Sequence, residues 1–299
     1  MFVKSMHGIV CAIVTPMTPS GEIDAGSLRK LSAHLVKSGI HGVYPTGTNG
    51  EGILLSAEER REVAKTVVDE VSGRSVVVIQ CTAATVEETL DHIRHAERIG
   101  ADGAGVMTPF FFGLDHETLK KFYSQALTAA GPGFFIYAYN IPSHTTNDLT
   151  PVLLKELAEK HPNLVGIKFS DSDLMRIQDY MRAVPRRIDV LIGCDSLVLP
   201  ALTLGASGTV SGPAMVFPHL FVGLYNAFKN NDYEQARDFQ RKIIEMDRSL
   251  RGIPAIPAIK TMLKMQGIIE SDFSRIPSRP LTREEYGTLE SLVKKYSIL

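Results

Sequence analysis

Eight short apolar segments, separated by stretches with a helical pattern, constrain the fold of this chain more than any other feature. They begin roughly every 20–35 residues, which is the length of one strand–helix unit. Alternating strands and helices predict a parallel sheet, and eight such units are the number that closes a (β/α)8 TIM barrel. The segments are 8–14, 41–45, 76–81, 103–107, 134–140, 164–169, 189–193 and 208–212.

Start and stop signals for helices lie between these segments. Thr150 precedes a proline, which is typical of an N-cap followed by proline at the first helical position. Gly39 and Gly100 stand where helices are expected to stop. Two capping boxes, in which a Ser or Thr and a Glu three residues later cap each other, complete the pattern: Ser56 with Glu59, and Thr85 with Glu88.

The main alternative fold is a doubly wound sheet. Such a sheet would carry a glycine-rich phosphate turn after its first strand, where this chain has Thr15-Pro16-Met17. We therefore predict one barrel over residues 1–227. The C-terminal extension, 228–299, is expected to form helices at 233–250, 255–265 and 282–295 that pack on the barrel in the same structural unit.

Composition excludes several classes of function. The chain is 44% hydrophobic and 22% charged, with a net charge of -1 and no basic tract, so nucleic-acid or membrane binding has no electrostatic support. The apolar stretch 9–14 is too short to span a membrane and is interpreted as a strand. Cys11, Cys81 and Cys194 lie far apart in apolar runs, which is typical of buried thiols in a reducing compartment. We expect a cytoplasmic protein without a metal site.

Lys168 ends the apolar segment 164–169. A strand this apolar is expected to be buried on both faces, where an unpaired ammonium is very costly. The lysine should therefore be paired or partly neutral, and a neutral lysine amine forms Schiff bases with carbonyl substrates. The alternative is an ordinary strand-end lysine whose head reaches solvent.

In a barrel, reactive side chains come from the C-terminal ends of the strands and the loops that follow. The loop after strand two holds three glycines around Thr48 and Asn49. Glycines let backbone N–H groups approach an anion closely, and Thr48 adds a hydroxyl donor, so this loop suits a carboxylate. A plain glycine-rich turn is the alternative.

Further polar side chains are expected at the same mouth. Tyr139 lies near the end of the strand next to that of Lys168. Because neighbouring strands are ~4.8 Å apart, its phenol could reach the lysine and relay protons. It could also be a core tyrosine bonded to backbone. Asp195 and Ser196 could hold substrate hydroxyls or cap the following helix. His144 lies on the loop after strand five.

Three short motifs together resemble the dihydrodipicolinate synthase / N-acetylneuraminate lyase family. They are Gly47-Thr48-Asn49-Gly50-Glu51, Tyr139-Asn140-Ile141-Pro142 and Gly166-Ile167-Lys168, each at the end of its expected strand. The resemblance covers essentially the whole chain.

This resemblance implies a class I aldolase without metal or other cofactor, built as a homotetramer of two dimers. Lys168 would form an imine with pyruvate or another small 2-oxo acid. Thr48, Asn49 and the loop amides would hold the carboxylate, and Tyr139 would relay protons.

Departures from the family pattern bear on the substrate. The synthases carry an arginine two residues after the motif proline, where this chain has His144, which lacks the charged fork that clamps aspartate semialdehyde. The synthases also have a tyrosine in the strand-four motif, where this chain has Phe110-Phe111-Phe112 and no hydroxyl. The sialic-acid lyases have Gly-x-Asp-Glu after strand seven, and this chain has Ser196 in place of the glutamate. These changes favour a smaller polyhydroxylated 2-oxo acid, such as a 2-keto-3-deoxy sugar acid.

Alternatives that stay open are dihydrodipicolinate synthase or N-acetylneuraminate lyase activity proper, a dehydratase, and a barrel that binds a 2-oxo acid without turnover. Candidate catalytic residues are Lys168, Tyr139 and Thr48, and candidate substrate-binding residues are Asn49, Gly47, His144, Asp195, Ser196, Ser211 and Phe111.

Overall fold

A computed structural model describes residues 5–184 and 188–297. In these residues, eight parallel strands pair in sequence order, and the last pairs with the first to close a barrel. The predicted TIM barrel is confirmed, and closure excludes the doubly wound sheet. The strands are β1 Gly8–Cys11, β2 Gly42–Val43, β3 Val76–Gln80, β4 Gly103–Met107, β5 Phe135–Asn140, β6 Leu164–Phe169, β7 Asp189–Ile192 and β8 Gly208–Ser211.

Helices follow the strands and form the outer layer. They are α1 Ala25–Lys37, α2 Ala57–Val71, α3 Val86–Arg98, α4 His116–Leu127, the short α5 Pro142–Thr145, α6 Pro151–Lys160, α7 Leu174–Ala183, α8 Val198–Thr203 and α9 Pro218–Lys229. The C-terminal extension contains α10 Tyr233–Ser249, α11 Ala255–Met265 and α12 Arg283–Tyr296, close to the predicted helices.

The expected boundary at residue 227 falls inside α9, which continues to Lys229. The outer ends of the two predicted units, residues 1–4 and 298–299, lie outside the described residues, as do 185–187. Of the predicted helix signals, Ser56 and Thr150 cap their helices as expected. Thr85 accepts a hydrogen bond from the Glu88 N–H, but the reciprocal bond that would complete this capping box is not formed.

Two strands are shorter than their apolar segments. β1 ends at Cys11 although residues 12–14 are also buried, and β2 contains only two residues. Sheet-type hydrogen bonds continue from β2 only as far as Pro45, and Thr46 and Glu51 both adopt left-handed conformations in the loop that follows. The loops at this end of the barrel therefore begin deep in the core, which brings their polar groups close to the strand ends.

The core of the described residues has three clusters, a large one between the sheet and the helices, one inside the barrel, and a small one around Tyr139 near the mouth. Cys11 and Cys81 are fully buried, as predicted, whereas Cys194 is only partly buried because it follows β7 at the mouth. Across the described residues, no helix is both long and apolar enough to cross a membrane.

Candidate active site

Lys168 lies inside the barrel near the C-terminal ends of the strands. Only 6% of the surface of Lys168 is exposed, so the alternative of a head group in open solvent is wrong. The nitrogen lies 3.9 Å from the ring centroid of Tyr139, its register partner on β5, and 5.0 Å from that of Tyr44. Among the residues that the structure describes, no ion pair joins this nitrogen to a carboxylate. Two aromatic faces, rather than a counter-ion, surround the amine.

Tyr139 connects the lysine to the glycine-rich loop. Its residue is 2% exposed, and burial alone would raise the pKa of the phenol. The charge of Lys168 and hydrogen bonds with Ser170, Lys168 and Thr48 outweigh burial, so the pKa of Tyr139 is lowered. Tyr139 is thus a buried core residue, as the alternative expected, but its phenol interacts with side chains of the site rather than with backbone. A phenol with a lowered pKa, in contact with the amine, is suited to proton transfer.

Ser170 is a candidate site residue that the sequence analysis missed. It follows Lys168 by two residues, so both side chains are on the same face of the chain, and this spacing could have indicated it. Gly193 after β7 leaves the space that the serine needs, because a Cβ there would lie 2.0 Å from Ser170 Oγ. The hydroxyl thereby reaches Tyr139.

The loop after β2 is tied to its surroundings. Thr15 Oγ1 donates to the Gly50 carbonyl at 2.7 Å, and Asn49 Nδ2 donates to the Ala12 carbonyl at 3.3 Å. Thr48 is exposed at the mouth, and Gly47 before it is buried. Of the three predicted carboxylate-binding residues Gly47, Thr48 and Asn49, the side chain of Thr48 interacts with Tyr139, and hydrogen bonds of Thr15 and Asn49 hold the backbone of the loop.

Glu51 anchors the same loop to the C-terminal extension. Its carboxylate forms an ion pair with Lys260 of α11, and both side chains are completely buried. The carboxylate also accepts the Arg275 N–H at 2.7 Å, while the Lys260 ammonium donates to the Phe273 carbonyl at 2.8 Å. Burial lowers the pKa of Lys260, against the attraction of Glu51. This link joins residues 209 positions apart, which no local pattern could reveal.

Asp195 and Ser211 lie at the ends of β7 and β8, the two strands that follow the Lys168 strand around the barrel. Burial raises the pKa of Asp195 to about 7; a hydrogen bond with Ser211 and the charge of Lys168 act in the opposite direction, and Asp247 adds to the rise. Within the described residues, Asp195 Oδ1 is buried without a hydrogen-bond partner. An oxygen of this kind is suited to bind a substrate hydroxyl.

Ser196 points away from this group. Its hydroxyl donates to Asp247 of α10 at 2.6 Å, and neither Asp195 nor Ser196 caps the turn or helix that follows, so the capping alternative is wrong. Gln240 of α10 reinforces the contact by donating to the Asp195 carbonyl at 3.0 Å. The C-terminal extension therefore holds the loop after β7 as well as the loop after β2.

Two predicted site residues are not joined to the others. His144 is exposed on α5, with a ring nitrogen 2.9 Å from Ser143 Oγ. Phe111 is 82% exposed, has a left-handed φ of 77°, and stacks edge-on with exposed Phe112. In the described residues, no contact links either side chain to Lys168. No group of three His, Cys, Asp or Glu side chains in the described ranges could hold a metal ion.

The assembled groups suit covalent chemistry on a carbonyl compound. The amine of Lys168 has the chemistry of a nucleophile, the phenol of Tyr139 has that of a proton carrier, and the loop around Thr48 has donors of the kind that suit an anion. Asp195 and Ser211 supply hydrogen-bonding groups for the remainder of the molecule.

Comparisons with known proteins agree with this geometry. The dihydrodipicolinate synthetase family model matches residues 5–296. An uncharacterized DapA-like lyase of Halobacterium salinarum is 36% identical over 286 residues, which are 96% of this chain and 92% of the relative.

Two solved structures are similar over nearly their whole length. YagE from E. coli K12, a protein of the dihydrodipicolinic acid synthase family in complex with pyruvate, is 27% identical with a TM-score of 0.92, covering 97% of this chain and 98% of that one. A catalytic lysine mutant of Ruminococcus gnavus sialic acid aldolase is 25% identical with a TM-score of 0.92, again covering 97% and 98%. The chain, matched over its barrel and its C-terminal helices alike, belongs to the dihydrodipicolinate synthetase family of lyases.

Proposed function

We propose that this protein is a class I aldolase that makes or breaks a carbon–carbon bond between pyruvate and an aldehyde through an imine on Lys168. The observation that carries the proposal is the buried Lys168 amine in contact with a phenol of lowered pKa, Tyr139. Relatives support it: the YagE structure contains pyruvate, and the sialic acid aldolase has a catalytic lysine.

Imine formation begins when the neutral Lys168 amine adds to the C2 carbonyl carbon of the 2-oxo acid. One amine proton moves to the C2 oxygen through Tyr139, whose ring contacts the lysine nitrogen, and the phenol then donates its own proton, so that the C2 oxygen leaves as water and Tyr139 is left as the phenolate. The product is a protonated C=N bond. Ser170 and Thr48 hold the phenol in place during both proton transfers.

Bond cleavage uses the protonated imine as the electron sink. The phenolate of Tyr139 takes the proton of the C4 hydroxyl, the C3–C4 bond breaks, and its electron pair forms the C2–C3 double bond of an enamine. The aldehyde leaves from C4. A proton added at C3 restores the imine, and water releases pyruvate and the free amine.

We infer the substrate class from the two ends of the site. Donors around Thr48 and Asn49 suit the carboxylate, while Asp195 and Ser211 suit hydroxyl groups of the aldehyde portion. A 2-keto-3-deoxy sugar acid has both features. His144 would contribute at the rim. Dihydrodipicolinate synthase activity is less well supported, because the synthases' arginine is absent at position 144.

Phe111 and Phe112 support the further proposal of a homotetramer. Their large rings are 82% and 70% exposed, and they lie in the segment that replaces the synthases' strand-four tyrosine, a residue that in that family completes the proton relay of a neighbouring subunit. Light scattering coupled to size-exclusion chromatography tests this, and a monomer at working concentration would contradict it.

The experiment that tests the aldolase proposal is reduction with borohydride in the presence of pyruvate, followed by peptide mapping. A reduced pyruvate adduct on Lys168 is the expected result, and its absence in a folded protein would favour a binding barrel. A panel of sugar acids with aldehyde and 2-oxo acid products quantified then separates cleavage from dehydration, since dehydration yields no aldehyde fragment.

A further inference from the structure

Tyr44, just after β2, forms the second aromatic face at Lys168. Its residue is 1% exposed, and its ring centroid lies 5.0 Å from the lysine nitrogen. The ring centroid of Tyr139 lies 3.9 Å from the same nitrogen. The two tyrosine rings pack edge-to-face, with their centroids 6.4 Å apart. The amine therefore rests against two aromatic rings, of which only one has a role in the proposed chemistry.

The hydroxyl of Tyr44 does not explain why a tyrosine is present. In the described part of the chain its oxygen is buried without a hydrogen-bond partner, which destabilises the folded protein. Burial raises the pKa of Tyr44 well above its ordinary value, so the phenol is neutral. What Tyr44 offers to Lys168 is its ring, whose faces attract a cation.

The neighbouring strand leaves space for this ring. A Cβ at Gly105 of β4 would lie 2.0 Å from Tyr44 Oη and 2.6 Å from the ring carbon that bears it. Since a real side chain never approaches so closely, the tyrosine can lie across the barrel only while position 105 is glycine. Its place beneath the lysine thus depends on residues of two strands.

We propose that Tyr44 is a positioning residue whose ring stabilises the positive charge that the protonated imine places on the Lys168 nitrogen. This inference rests on the proposed imine chemistry. A carboxylate would attract the cation more strongly, but it could also take the imine proton and so remove the electron sink. An aromatic face attracts the cation without offering a base.

The test replaces Tyr44 without changing its shape. Tyr44→Phe removes only the unpartnered hydroxyl, and a phenylalanine with three ring fluorines at position 44 keeps that shape but weakens the attraction of the ring for a cation. For each variant, the pyruvate concentration that gives half-maximal borohydride labelling of Lys168 is measured by mass spectrometry, together with kcat and KM for cleavage.

Tyr44→Phe should match the wild type within about twofold and should melt no lower. Fluorination should raise the half-labelling concentration about 5- to 30-fold, the range expected for a desolvated cation–π contact. The matched control carries the same fluorinated residue at Tyr123, a fully buried tyrosine of α4. It should leave labelling unchanged.

Equal labelling of the Phe and fluorinated variants would overturn the role of Tyr44 while leaving the imine mechanism in place. A large loss already in Tyr44→Phe would also overturn it, because the hydroxyl and not the ring would then matter. Absence of labelling in the wild type would instead remove the aldolase proposal, and this inference with it.

Discussion

Removing either partner of the buried Glu51–Lys260 pair should destabilise the protein strongly. In Glu51→Gln, the Lys260 ammonium keeps its bond to the Phe273 carbonyl but loses its counter-ion in a site with no exposed surface. It can avoid an uncompensated charge by releasing its proton. The ordinary pKa of a lysine is 10.5, about three units above pH 7.5, so removing the proton at that pH costs about 4 kcal/mol.

That value agrees with the roughly 3–5 kcal/mol found when one member of a buried pair is removed. Lys260→Met leaves the buried Glu51 carboxylate without a counter-ion and should lower the free energy of unfolding by a similar amount, although the backbone N–H of Arg275 still donates to it. Because replacing both charges leaves no unpaired ion, Glu51→Gln with Lys260→Met should recover most of the loss. Each single variant should melt on the order of 8 °C lower.

Urea unfolding followed by far-ultraviolet circular dichroism measures these differences, since the chain has no tryptophan to report by fluorescence. The exposed pair of Lys65 and Asp69 on α2 is the control, and Lys65→Met should cost less than about 1 kcal/mol. Single variants of Glu51 and Lys260 that unfold like the wild type would refute the reasoning. So would a double variant whose loss equals the sum of the two.

Three further changes test the proposed chemistry and its electrostatics. Lys168→Ala should abolish both borohydride labelling and turnover, with circular dichroism confirming the fold. Tyr139→Phe should lower kcat by about 10²–10⁴, the usual contribution of general acid–base catalysis; near-wild-type rates would refute its role. Asp195→Asn should stabilise the protein increasingly as pH rises. Burial raises the pKa of Asp195 to about 7, so between pH 5 and 7 the folded wild type keeps a proton that the unfolded chain has lost. The free energy of unfolding of the wild type, relative to that of the variant, should therefore fall by up to about 3 kcal/mol as the pH rises from 5 to 7.

Strand–helix alternation was sufficient to predict the barrel, because each unit repeats a local pattern. Strand ends were less well predicted. Residues 12–14 continue the apolar segment of β1 and are buried, yet they lie outside the ladder. Apolar character reports burial, and a buried loop at the mouth of a barrel has the same composition as a strand. The two-residue β2 shows the same effect.

Site residues on neighbouring strands could be predicted, whereas contacts across the barrel could not. Strand order alone predicts that Lys168 and Tyr139 lie on neighbouring strands, and the structure pairs them in register. Tyr44 meets them across the barrel interior, at a distance set by the inward direction of its side chain and by Gly105. Ser196 was expected to face the substrate or cap a helix, but it bonds Asp247 of α10, and only the packing of the C-terminal extension decides this.

The C-terminal extension also resolves an electrostatic conflict at the carboxylate loop. Glu51 stands two residues after Asn49, so its negative charge would repel the carboxylate that the loop is proposed to bind. Lys260 neutralises that charge from α11. Lys168 itself has aromatic rings around its nitrogen instead of a carboxylate partner among the described residues, so no salt bridge occupies the atom that is proposed to attack the carbonyl. The acid is paired where an anion must bind, and the amine is unpaired where a nucleophile is needed; this arrangement favours a covalent 2-oxo acid lyase over a barrel that only binds.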